Sequence, residues 1–226
     1  MARCTLDCDA VLFDLDGVLV DSTESIRRVL IEWSSAHGVD PDALLRASHG
    51  RRFVDSLRLV APHLDPDIEG GLLESMEVSA ATGVIPIPGA QRLLSSLTDD
   101  QWAVVTSASS AVALARMRQA GLPTPPLLVS ADHVTKGKPD PEGYRSAAIA
   151  LGVEPDGCLV VEDAPVGIEA GHRAGMRVIA LTSTHDMFDL WTPWVVGDLT
   201  SITLETRDSE KSSSRVRVRI EDGLEM

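Results

Sequence analysis

The chain predicts an α/β protein: a parallel-sheet core carrying a small helical insertion after its first strand. Short apolar runs recur and stop at polar turns, the pattern of strands buried on both faces. Helical segments separate these runs, and strand–helix alternation implies a parallel sheet covered on both sides. Residues 22–85 break this rhythm and show helical periodicity alone.

The first run, Ala10-Val11-Leu12-Phe13, reads as a buried parallel strand. Within residues 22–85, Asp21 or Ser22 can cap a helix whose Ile26, Val29, Leu30 and Trp33 share one face. Asp40-Pro41 and Asp65-Pro66 each set a capping acid before a proline at the first helical position. Phe53, Leu57 and Val60 lie about a turn apart, as do Ile68, Leu72, Leu73 and Met76. Ile85-Pro86-Ile87-Pro88-Gly89 returns the chain to the core as a stiff linker. Strands follow at 102–105, 127–129, 159–161 and 178–181, with helices at 111–120, ended by Gly121, at 143–151, ended by Gly152, and at 164–175. Residues 199–205 read as a strand and 209–214 as a polar loop, while Val216, Val218 and Ile220 alternate with charges. A terminal hairpin with one wet face is expected over 205–226, and no chemistry is assigned to it.

At 226 residues the chain is one domain, or a core with one insertion. Its net charge of −14 argues against nucleic acid or an acidic membrane surface as partners. The longest apolar stretches are about five residues, far short of the roughly 18–20 of a membrane span. Asp7, Asp9, Asp14 and Asp16 break the only apolar run near the N-terminus, so no signal-peptide pattern is expected. Three cysteines fit a reduced, cytoplasmic protein; Cys4 and Cys8 have no second Cys/His pair with which to build a metal site. A monomer or weak dimer is expected.

The strongest chemical pattern is Asp14-Leu15-Asp16-Gly17, set where the first strand ends. Ligands of parallel sheets bind beyond the carboxyl ends of strands. Gly17 permits a turn that could bring both carboxylates to one side, to share a cation and divide nucleophilic from acid/base work. A solvated acidic turn satisfies the same pattern. Three further clusters each follow a strand. Thr106-Ser107-Ala108-Ser109 offers hydroxyls and free backbone N–H groups at a helix start, for an anion or for simple capping. Lys136-Gly137-Lys138-Pro139 brings point charges on a stiffened loop. Glu162-Asp163 could complete an oxygen cage for Mg²⁺ or cap the next helix.

In their order, Asp-x-Asp-Gly-Val-x-x-Asp-Ser, Thr-Ser, Lys-Pro and Glu-Asp-Ala-Pro-x-Gly-Ile-Glu-Ala-Gly, these motifs resemble the haloacid dehalogenase-like hydrolase superfamily over about residues 9–200. The resemblance implies a Rossmann-like core over 1–21 and 86–226, with a helical cap at 22–85. It implies Asp14 as the nucleophile that forms an aspartyl-phosphate, and Asp16 as the acid that protonates the leaving oxygen and then activates water. Mg²⁺ would be held by Asp14, the Asp16 backbone carbonyl and Asp163, with Glu162 as an extra or outer acid. Ser107, the neighbouring Ala108 and Lys138 would bind the transferring phosphoryl group.

Particular residues narrow the branch. Dehalogenases of the superfamily do not keep an acid at the place of Asp16. Phosphonoacetaldehyde hydrolases use a cap lysine, and no lysine precedes Lys136 here. β-Phosphoglucomutases have a histidine about ten residues after the second aspartate, where this chain has Ile26, and they too carry a cap lysine. A phosphomutase stands as the alternative to a phosphatase. A P-loop fails on spacing, because Asp132 stands where its first glycine is required. The stretch Ser48-His49-Gly50-Arg51-Arg52-Phe53 is similar to that of glycerol-1-phosphatases and 2-deoxyglucose-6-phosphatases. His49, Arg51 and Arg52 are therefore expected to face a small phosphorylated polyol or sugar.

Overall fold

The computed structural model describes residues 4–80, 82–206 and 215–221. From the N-terminus, β1 (Cys4–Cys8) and β2 (Ala10–Phe13) precede a two-residue strand, β3 (Val20–Asp21). Four helices follow, α1 (Thr23–His37), α2 (Pro41–Ser48), α3 (Phe53–Val60) and α4 (Pro66–Ser79), before β4 (Ile85–Pro86). The chain then runs through α5 (Ala90–Leu94), β5 (Trp102–Val105), α6 (Ser110–Gln119), β6 (Leu128–Val129) and α7 (Glu142–Leu151). It ends in β7 (Cys158–Glu162), α8 (Pro165–Arg173), β8 (Arg177–Leu181), β9 (Trp194–Val196), β10 (Ile202–Thr206) and β11 (Val216–Ile220).

Six strands form one sheet in the order β6-β5-β2-β7-β8-β9, paired in parallel throughout. The first-read strand, β2, is thus central, with Phe13 opposite Val104 on one side and Val161 on the other. Its side chains alternate between two cores. Val11 and Phe13 pack with α5 and α6, whereas Ala10 and Leu12 pack with Tyr144 and Ala147 of α7 and Ile168 of α8. Residues on both faces are buried, which is why these strands read as unbroken apolar runs.

The expected terminal hairpin is present as β10 and β11, but β11 also pairs with β1, giving a three-stranded antiparallel sheet. Val216, Val218 and Ile220 join the core, while Arg217 and Arg219 face outward to Asp7 and Glu205 at 2.8 and 2.5 Å. The strand begins at Ile202 rather than 199, because 199–201 form a 3₁₀ turn capped by Asp198. The polar loop read at 209–214 lies outside the described residues.

Helices α1–α4 share a separate core that includes Val29, Leu30, Trp33, Leu44, Leu57 and Leu73. Asp40 and Asp65 cap α2 and α4 through backbone N–H groups, as expected. Ile68 and Leu72, by contrast, are 69% and 44% exposed. Helix α4 turns Gly70, Leu73 and Glu77 inward instead, Gly70 letting Val54 of α3 approach closely. The two crossings between these helices and the core pair as β3 and β4, with Val20 opposite Pro86 and Asp21 opposite Ile85. No helix among the described residues is long and apolar enough to cross a membrane.

Candidate active site

The carboxyl ends of the central strands converge on Asp14. Its backbone N–H continues the β2–β7 ladder to the Val161 carbonyl at 3.0 Å, so the side chain emerges at a fixed point. The chain then turns tightly, with three successive N–H groups donating to the Leu15 carbonyl. Gly17 sits at φ +82°, and a Cβ there would fall on the Asp163 carboxylate.

Lys138, almost fully buried, lies beneath Asp14. Its ammonium donates to Asp14 Oδ1 at 2.6 Å, Glu162 Oε1 at 2.6 Å and the Val105 carbonyl at 3.2 Å. All three of its protons are thereby used. Glu162 is fully buried, and it too is saturated: Tyr144 donates to Oε1 at 2.7 Å, while the backbone N–H groups of Asp163 and Ala164 reach Oε2 at 3.0 and 3.3 Å. A Cβ on Gly167 would collide with this carboxylate, so the start of α8 can close over Glu162 only with glycine there.

Burial pushes the Asp14 carboxyl up to about 7, with Glu162 adding repulsion against the pull of Lys138. Burial together with Glu162 and Asp14 likewise holds the Asp163 carboxyl well above its usual range. Oxygens of Asp14, Glu162 and Asp163 lie within 4.8 Å of one another. Asp163 Oδ1 is buried with no hydrogen-bond partner, while Thr184 donates to its other oxygen. An all-oxygen set with one orphaned carboxylate atom fits a hard divalent cation, which would also relieve the crowding of charge. Because Glu162 is already engaged by four donors, Asp14 and Asp163 are the carboxylates with capacity to spare.

Asp16 lines the same cleft but has other partners. Its Oδ1 accepts from the Ser22 hydroxyl at 2.6 Å, and its Oδ2 from Arg116 of α6 at 2.6 Å. Ser22, expected as a helix cap, makes no capping bond and is committed to Asp16 instead; Asp21 receives the Thr23 N–H. Arg116 is only 4% exposed and also donates to Glu77 of α4 at 2.5 Å. Burial, aided by Asp16 and Glu74, raises the Glu77 carboxyl to about 7 despite that bond.

The helical cap rests on the core at several further points. Ser107 donates to the Gly50 carbonyl at 2.8 Å, and the rings of His49 and His185 meet edge-to-face at 5.3 Å. Burial lowers the His49 pKa and so favours its neutral ring. Between cap and core lies a cleft of about 810 Å³, counting space open to solvent. Asp14, Asp16, Ser107, Ala108, His49, Arg51 and Asp163 all line it.

Arg52 does not join them, contrary to the sequence expectation. Its guanidinium folds back on Asp55 at 2.7 Å and reaches the Thr135 carbonyl at 3.1 Å, so it ties cap to core beside the cleft. Four residues at the site escaped the sequence reading. Tyr144 is the chain's only tyrosine and follows Lys138 by six positions, a spacing that offered a clue. Thr184 lies just beyond β8, at the ligand end of the sheet. Arg116 and Glu77 are charges on the inward sides of their helices.

Fold and site together define an α/β enzyme built around a buried carboxylate, paired with a lysine and roofed by a helical cap. Comparison with known proteins gives the family. The haloacid dehalogenase-like hydrolase description matches residues 8–175. Hexitol phosphatase A of Escherichia coli is 43% identical over 184 residues, covering 79% of this chain and 85% of the relative. The 2-deoxyglucose-6-phosphate phosphatase 1 of Saccharomyces cerevisiae is 35% identical, covering 87% and 90%. A hydrolase structure from Pseudomonas syringae superposes with a TM-score of 0.75 at 25% identity, covering 85% of this chain and 94% of that one. The chain belongs to the haloacid dehalogenase-like hydrolase family.

Proposed function

We propose that this enzyme is a Mg²⁺-dependent phosphatase of small sugar or polyol phosphates, working through an aspartyl-phosphate on Asp14. The observation that carries the reading is the buried Asp14–Lys138–Glu162 chain, 2.6 Å at each link, opening on a roofed cleft. Lys138, itself held by Glu162, fixes one oxygen of Asp14, and the other is left to attack phosphorus. As that bond forms, the bond from phosphorus to the leaving oxygen breaks, and Asp16 gives that oxygen a proton. Asp16 then takes a proton from water, which attacks the phosphoryl group and restores Asp14. Ser107 and the backbone N–H groups near Ala108 hold phosphoryl oxygens, and the cap excludes bulk water.

Asp14, Asp163 and the Asp16 carbonyl would hold Mg²⁺, with Glu162 orienting Lys138 behind them. When bound, the ion supplies positive charge to the phosphoryl oxygens. The substrate class follows the relatives named above, which act on hexitol and deoxyglucose phosphates by their names. Ile26, on the cleft wall where the phosphomutase reading needs a histidine, supports hydrolysis over the alternative.

The test is phosphate release from glycerol phosphate, hexitol phosphate and deoxyhexose phosphate, with Mg²⁺ and after chelation. Release from at least one, lost on chelation and restored by Mg²⁺, is expected. No release from any of them, or release that chelation leaves untouched, contradicts the proposal.

A further inference from the structure

We infer that Glu77 and Arg116, with Glu74, select a neutral, hydroxyl-bearing leaving group and turn away one that carries a second anion. This deepens the phosphatase reading and rests on it. Asp16, as the acid that meets the leaving oxygen, marks which wall of the cleft the leaving group touches. Arg116 bonds directly to Asp16, and Glu77 to Arg116, so both belong to that wall. Glu74 lies one helical turn before Glu77 and lines the same cleft.

The charge on this wall decides what it can hold. The Arg116 guanidinium faces two carboxylates at 2.6 and 2.5 Å, so it is already compensated. Glu74 adds a further acid, its carboxyl raised by burial and by Asp132. A second phosphate or a carboxylate placed here finds the Arg116 guanidinium already engaged by Asp16 and Glu77, with Glu74 as a further acid beside them, in a partly desolvated space. A hydroxyl instead donates to a glutamate and accepts from a guanidinium N–H, and a polyol can do both repeatedly. Arg51, the other arginine lining the cleft, follows Gly50, whose carbonyl accepts from Ser107 at 2.8 Å.

Three probes separate the possibilities: a hexitol 6-phosphate, phosphoglycolate, whose leaving group carries a carboxylate, and p-nitrophenyl phosphate. The wild-type protein should favour the hexitol phosphate over phosphoglycolate by about 100-fold or more in kcat/KM. Glu77→Gln and Glu74→Gln should each shrink that ratio about tenfold, chiefly by lowering KM for phosphoglycolate. Glu74 is only partly buried, so its variant gives the reading even where Glu77→Gln fails to fold. A ratio within about twofold of wild type in the folded variants, or a wild-type preference for phosphoglycolate, overturns the inference. Hydrolysis of p-nitrophenyl phosphate with an unmoved ratio overturns this inference alone. No hydrolysis of any probe removes the phosphatase reading and this inference with it.

Discussion

Asp14→Asn is expected to lower Mg²⁺-dependent phosphate release by at least about 10⁴-fold while leaving the fold intact. The amide has nearly the shape of the carboxylate but cannot serve as the nucleophile. Lys138 keeps Glu162 and the Val105 carbonyl as partners, so no buried cation is stranded. Stability has a definite sign. A carboxyl raised to about 7 favours the folded state when protonated, and that contribution is lost as pH rises through about 7. Asparagine cannot ionise, so the metal-free variant should melt at or above the wild-type temperature at pH 8. Steady-state phosphate release and thermal denaturation check the two halves. Retained turnover would remove Asp14 from the nucleophile role.

Lys138→Met should damage both function and fold. It leaves Asp14 and Glu162, two buried acids, without the cation that separates them. Removing one partner of a buried ion pair costs on the order of 3–5 kcal/mol. For a chain of this size that corresponds to a fall of roughly 6–20 °C in Tm. Phosphate release should drop about 10³-fold or more even at temperatures where the variant is folded, because Asp14 loses the group that orients it. Lys138→Arg should not rescue: a forked guanidinium does not fit the site of a compact ammonium bonded on three sides. A melting temperature within 2 °C of wild type, taken with about 2 °C as the effect of a mere 1 kcal/mol, would show that the buried pair contributes little.

The sheet and the candidate site residues were legible in the sequence for one reason. Asp14 follows an apolar run directly, Ser107 and Asp163 follow theirs after one polar residue, and the carboxyl end of a parallel strand is where ligands bind. What was not legible depends on partners remote along the chain. β1 has a short, interrupted pattern, and only its pairing with β11 makes it a strand. Arg116 reads as a solvated helical charge until Asp16, 100 positions away, and Glu77, 39 away, come to face it. Arg51 and Arg52 are adjacent and alike in sequence. Arg52, however, is the residue at the start of α3, from which its side chain reaches Asp55 one turn on. Ile68 and Leu72 lie about a turn apart yet are exposed, because periodicity alone does not say which side of α4 faces its neighbours.

The central claim is that Asp14 carries the phosphoryl group between two half-reactions. The direct measurement is to quench the enzyme with acid during turnover of a ³²P-labelled hexitol phosphate, reduce with borohydride, and map the modified residue. The account predicts labelled protein, and conversion of Asp14 to homoserine that depends on substrate and on Mg²⁺. Label found on another residue, such as His49, or modification of Asp14 that is independent of substrate, would contradict it.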